Sequence, residues 1–180
     1  MVGYSDDFQV RPSPTLKTAQ ALRENPIDVF VRLATAEHYE TERVAINELH
    51  LSMAGVWCDH DISLIWHPGK ERLDLYLLFD GRAPGGRSSD ICRLLSLLNE
   101  RLTSGHFDFW EKDRALVYRN AISLAGGAKL TLEQAMCLLA NALDAAERGY
   151  PASQYVLWAG KTPEEAIDTV LLELASTGVE

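Results

Sequence analysis

Cys58 and His60 stand two apart in a stretch of alternating polarity, so both side chains point to one side of an extended chain. A thiolate and an imidazole are two metal ligands, and a zinc site requires three or four. The other histidines, His38, His50, His67 and His106, form neither H-x-x-x-H nor H-E-x-x-H. Asp59 and Asp61 share the opposite side of the same stretch, a carboxylate pair without an apolar setting. The run Gly81-Arg82-Ala83-Pro84-Gly85-Gly86-Arg87-Ser88 precedes a helical pattern and looks like a phosphate loop. It lacks the Gly-Lys-Ser/Thr core of a P-loop, and its spacing misses G-x-G-x-x-G. Arg87, beside a helix N-terminus, is the candidate anion site. No G-x-S-x-G elbow presents a serine. These residues specify no catalytic group, no metal and no cofactor.

The elements that must position them follow from periodicity. Asn25-Pro26-Ile27-Asp28 reads as a helix start, with a capping amide, proline at the first position and an acid opposing the dipole. Val29, Phe30, Leu33 and Ala34 continue it to about His38. Three strand-like stretches follow, carrying Leu49/Leu51/Met53, Cys58/Ile62/Leu64/Trp66 and Leu73/Leu75/Leu77/Phe79 on one parity. Gly55 and His67-Pro68-Gly69-Lys70 supply the turns. Ser88 or Ser89 is expected to cap a second helix with the stripe Ile91, Leu94, Leu95, Leu98 and Leu102, ended by Gly105. A second hairpin spans 106–110 and 115–124. Thr131 and Gln134 form a capping box for a long helix that Pro151 should kink or interrupt. Thr162-Pro163-Glu164-Glu165 starts the last helix. The expected fold is α+β, a five-stranded antiparallel sheet flanked by helices in the order α-β-β-β-α-β-β-α-α. Residues 1–24, with Pro12 and Pro14 and no sustained period, read as an extended or flexible arm, and 25–180 as a single domain.

Charge narrows the function. The chain has 17 basic and 26 acidic residues, a net of -9. That balance disfavours phosphate backbones and anionic membrane surfaces, so neither nucleic acid nor membrane is an expected partner. Cys58, Cys92 and Cys137 sit in apolar periodic segments and read as buried, reduced thiols. The first ten residues show no apolar leader, and no apolar run approaches ~18 residues. A cytoplasmic location is expected.

Trp110 alternates with Phe107 and Phe109 and should occupy the other face of the sheet. Tyr76 and Trp110 are therefore candidates for a contact surface. Leu97 lies about 100° round the helix from Leu98, beside the main stripe. Leu97 and Trp110 together suggest the interface of a homodimer, whose two-fold copy would cover the open side of the sheet.

Three segments carry a family resemblance: Asn99-Glu100-Arg101-Leu102, Gly105-His106-Phe107-Asp108 and Leu116-Val117-Tyr118-Arg119. In this order they resemble the central signature of the YbjN-like family of bacterial sensory transduction regulators. Gly55-Val56-Trp57-Cys58-Asp59, and the tail from Tyr150-Pro151 through Trp158-Ala159-Gly160-Lys161-Thr162-Pro163-Glu164-Glu165-Ala166, are similar to its alphaproteobacterial branch. The resemblance runs from about Pro26 to the C-terminus. It implies a type III secretion chaperone-like fold, a dimer, and a binding protein rather than an enzyme. The expected function is a chaperone-like or regulatory module that binds another, unidentified protein. The alternative is a small-ligand sensor or enzyme using the Gly81–Arg87 loop with Asp59, His60 and Asp61.

Overall fold

Helix α1 (Pro26–Glu37) begins where Asn25 accepts the Ile27 N–H on its side-chain oxygen at 3.0 Å. It ends where His38 turns left-handed. The computed structural model describes residues 24–80 and 82–177. Residues 1–23, most of the expected arm, and Gly81 of the glycine-rich loop lie outside them. After α1 come strands β1 (Glu40–Ala45), β2 (Glu48–Ala54), β3 (Asp59–His67) and β4 (Arg72–Leu78). Helix α2 (Ser88–Asn99), strands β5 (His106–Trp110) and β6 (Ala115–Ser123), and helices α3 (Leu132–Leu157) and α4 (Pro163–Thr177) follow.

The strands form one antiparallel sheet in the order β1-β2-β3-β4-β6-β5. It has six strands, not the five expected. The extra strand is β1, Glu-Thr-Glu-Arg-Val-Ala, exposed at every position. An edge strand with no buried face shows no apolar period, which is why it is invisible to patterning. The helices lie on one face, where Leu49, Leu51, Ile62, Leu64, Leu73, Leu75, Leu77, Leu116 and Tyr118 join them in a single buried cluster.

Three further expectations need correction. Helix α2 starts at Ser88 and has Arg87 at its cap position with no side-chain cap, so neither Ser88 nor Ser89 performs that role. Pro151 does not interrupt α3, which runs through it for 26 residues. Burial of Pro151, Ala152 and Val156 outweighs the one backbone bond that proline cannot make. Cys92 and Cys137 are exposed, because each sits a residue outside the buried stripe of its helix; Cys58 is half-buried.

The two sheet edges are treated differently. At β5 the Asn99 amide donates to the Phe107 carbonyl at 3.1 Å and accepts the Phe107 N–H at 2.7 Å, standing in for a neighbouring strand. Gly105, at φ 69°, makes the turn into β5, and any side chain there would enter the Tyr118 ring. At β1, Arg43 covers the Ile46 carbonyl at 2.7 Å and pairs with Asp28 of α1 at 2.7 Å.

Thr131 and Gln134 make the capping box of α3, at 3.2 and 3.0 Å. Thr131→Ala should cost ~1 kcal/mol. Leu98→Ala, at a position 4% exposed, should cost ~2–5 kcal/mol. Urea denaturation checks the order; a larger loss at Thr131 would contradict the packing of α2 against the sheet.

Candidate functional site

With the helices on one side, the alternate residues of each strand form a second face that no described element covers. One row across it runs Glu42, His50, Ser63, Tyr76, Arg119 and His106. Glu40, Glu48, Asp59, Asp61, Asp74 and Asp108 share this face by alternation and register, as does Arg72. Its carboxylates therefore outnumber its two arginines. On the β1–β3 half a shallow hollow of about 390 Å³ is lined by Glu40, Glu42, His50, Ser52, Asp61 and Ser63, among others. On the β4–β6 half another of about 350 Å³ is lined by Arg72, Asp74, Tyr76, His106 and Arg119 with their neighbours.

The second hollow is held together by a buried carboxylate. Asp74, 3% exposed, accepts Arg72 Nη2 at 2.7 Å and the Tyr76 hydroxyl at 3.3 Å, and lies 3.0 Å from His67 Nε2. Burial pushes its proton affinity up, but the Arg72 hydrogen bond and charge, with His67 and Tyr76, outweigh burial and hold the carboxyl below its usual range. Tyr76 is thereby fixed. Trp110 lies beside it at 6.1 Å between ring centroids, tilted by 59°. The Arg119 guanidinium sits 5.6 Å from the Tyr76 ring centre and donates to Asp108 at 2.9 Å.

The structure thus brings Tyr76 and Trp110 together, and it separates Leu97 from them. Leu97 is half-buried on α2, in the helical layer on the other side of the sheet. Arg87 donates to Asp90 at 3.3 Å, so its charge already faces a carboxylate. The loop that follows Gly81 is clasped to the β5–β6 turn: Ala83 N–H donates to the Arg114 carbonyl at 2.9 Å, and Arg114 Nε donates to the Ala83 carbonyl at 2.6 Å. Asp59 and Asp61 are exposed on the open face while His60 is buried on the other, so the three do not converge. Among the described residues no group of three or more His, Cys, Asp or Glu side chains is placed to hold a metal ion.

Patterning missed three members of these clusters. Asp74 reads as the polar half of an alternating strand, and its burial arises only from Arg72, His67 and Tyr76 closing over it. Arg119 stands in a signature segment, but its aromatic neighbour is set by the β4–β6 register. Glu147 lies in a helix and meets His60 across 87 residues of chain, at 3.2 Å.

Two variants check this geometry. Because the Asp74 carboxyl is held low, its contribution is fully present above the unfolded value and is lost as pH falls through the folded one. Asp74→Asn should therefore destabilise most at neutral pH, with the gap to the wild type closing below pH ~4 in acid titrations. A gap independent of pH would mean the carboxylate is not ionised. Gly55→Ala would bring a methyl carbon against Glu147 Oε1 and to 2.6 Å from the Cys58 carbonyl. It should lower stability by ~1–3 kcal/mol in the same denaturation assay.

No curated protein matches the sequence. Among solved structures the chain is similar to a chain of the ExsC–ExsE complex, with 23% identity over 76% of this chain and 92% of that one, at a TM-score of 0.48. It is also similar to YbjN from E. coli, with 15% identity over 84% of this chain and 93% of that one, at a TM-score of 0.46. Residues 26–154 match the model of the YbjN family, described as "Putative bacterial sensory transduction regulator". That match spans the whole sheet, α1, α2 and most of α3, and the chain belongs to the YbjN family.

Proposed function

We propose that the protein is a non-enzymatic cytoplasmic regulator that binds a basic segment of another protein on the open face of its sheet. The observation that carries this reading is the one-sided layering, which leaves Tyr76 and Trp110 side by side within a field of carboxylates. Membership of a family of regulators supports a binding role. An aromatic pair offers apolar area at low cost in side-chain entropy, and the surrounding acids select for lysine and arginine. The same acids repel phosphate, which argues against nucleic acid. Described helices long and apolar enough to cross a membrane are absent.

The homodimer belongs to the same reading but moves off this face. A two-fold copy laid on the open face would set its carboxylates against their own images. The helical layer is better suited: Leu97 is half-buried on α2, and Leu172 is 73% exposed on α4.

The test uses ten-residue extended peptides, one set rich in lysine and arginine and one in glutamate, titrated against the full chain. Basic peptides should bind, weaken as salt is raised, and weaken at least roughly tenfold with Trp110→Ala or with Glu42→Gln and Asp61→Asn together. Equal binding of both sets, or indifference to these variants, would refute the reading. Light scattering across a hundredfold dilution should show a dimer that Leu97→Asp or Leu172→Asp dissociates and Trp110→Asp does not.

A further inference from the structure

The turn from β2 to β3 assembles four chemically able groups that the open face does not use. Cys58 Sγ lies 3.8 Å from His60 Nδ1, and His60 Nε2 lies 3.2 Å from Glu147 Oε1. The same carboxylate oxygen accepts the Val56 N–H at 2.9 Å. Tyr150, three residues beyond Glu147 on α3, sets its ring edge-on to His60 at 6.2 Å. His60 is 3% exposed, the Glu147 side chain is 9% exposed, and Glu147 Oε2 has no hydrogen-bond partner among the described residues.

The connectivity is that of a nucleophile, a base and an orienting acid. A carboxylate at Nε2 assigns the ring proton there, which turns the Nδ1 lone pair toward the thiol. Glycine at 55 is what lets the carboxylate approach, since a side chain there would collide with Glu147, the Cys58 carbonyl and His60. Burial first, then the charge of Glu147, pushes the Cys58 thiol up, with Asp80 and Asp59 adding to this and Tyr150 opposing it. At rest the sulfur therefore keeps its proton, and any reactivity must come from a base that removes it during the reaction.

We propose that Cys58 is a modification site for hydroperoxides, with His60 as the base that takes its proton and Glu147 as the residue that positions His60. In this step the sulfur attacks one peroxide oxygen, an S–O bond forms and the O–O bond breaks. The thiol proton passes to His60 Nδ1 and then to the departing oxygen. The thiol is oxidised to a sulfenic acid, and the hydroperoxide is reduced to water or an alcohol. The reagent class follows from the site: a half-buried sulfur beside three packed side chains admits a small, uncharged oxidant. Cys92 and Cys137 are exposed on the outer sides of α2 and α3, and they provide an internal reference within the same molecule.

The experiment exposes the full chain to hydrogen peroxide, traps sulfenic acid with a 1,3-dione and measures the rate at each cysteine by mass spectrometry. Cys58 should react at least roughly tenfold faster than Cys92 or Cys137, a margin set below the ~10²-fold that a positioned base contributes at the low end. His60→Gln should slow Cys58 at least roughly tenfold and leave the other two unchanged. It should also alter the pH profile: the advantage of the wild type over the variant at Cys58 should be largest near neutral pH and shrink in the alkaline range, where the thiolate forms without a base. Glu147→Gln should slow Cys58 in the same direction, and it serves if His60→Gln does not fold. The proposal is overturned if Cys58 is no faster than the two exposed cysteines of the wild type, a comparison that needs no variant. It is equally overturned if Cys58 is fast but indifferent to both substitutions.

Discussion

A sheet of alternating side chains must bury one face, and all four described helices are spent on the same one. Leu73, Leu75 and Leu77 of β4 and Leu116 and Tyr118 of β6 sit under α1, α2, α3 and α4 in one apolar cluster. Burial of that area supplies the main drive to fold. The cost of the arrangement is geometric. Period two sends every second residue of six strands to a face that receives no described helix, and those residues shape that face. Tyr76, Trp110, Arg119 and the carboxylates around them are there because Leu75, Leu77, Phe107, Phe109 and Tyr118 are on the other side.

The carboxylates caught inside this layering meet polar partners, and each meeting does a positional task. Asp74 sits beneath the open face and would be costly there as a lone charge. Arg72, His67 and Tyr76 close over it, so the aromatic pair is anchored rather than mobile. Glu147 enters from α3 and holds both His60 and the Val56 amide, which docks the β2–β3 turn on the helix. The first carboxylate orders part of the open face. The second organises a thiol.

The edges follow the same economy of unpaired groups. The Asn99 side chain supplies β5 with the hydrogen bonds of a missing strand, and Arg43 tethers the end of β1 to its own turn and to α1. One edge of the sheet is therefore already closed to strand pairing.

Local signals in the sequence determined much of this. Asn25, Thr131 and Thr162 mark helix starts because capping needs only neighbours a few residues away. The strands carrying Leu49–Met53, Ile62–Trp66 and Leu73–Leu77, and the helix of Ile91–Leu98, were legible because their buried faces repeat at fixed periods. The placement of Trp110 on the face opposite Phe107 was legible for the same reason. Strand β1 was not, because an exposed edge has no apolar face to repeat. Exposure of Cys92 and Cys137 turned on one residue of helical phase, finer than a stripe resolves. The meeting of Cys58 and His60 with Glu147, and of Tyr76 with Arg119, lay beyond pattern altogether. Those contacts join residues far apart in the chain, and only the packing of α3 on the sheet and the register of β4 on β6 set which side chains touch.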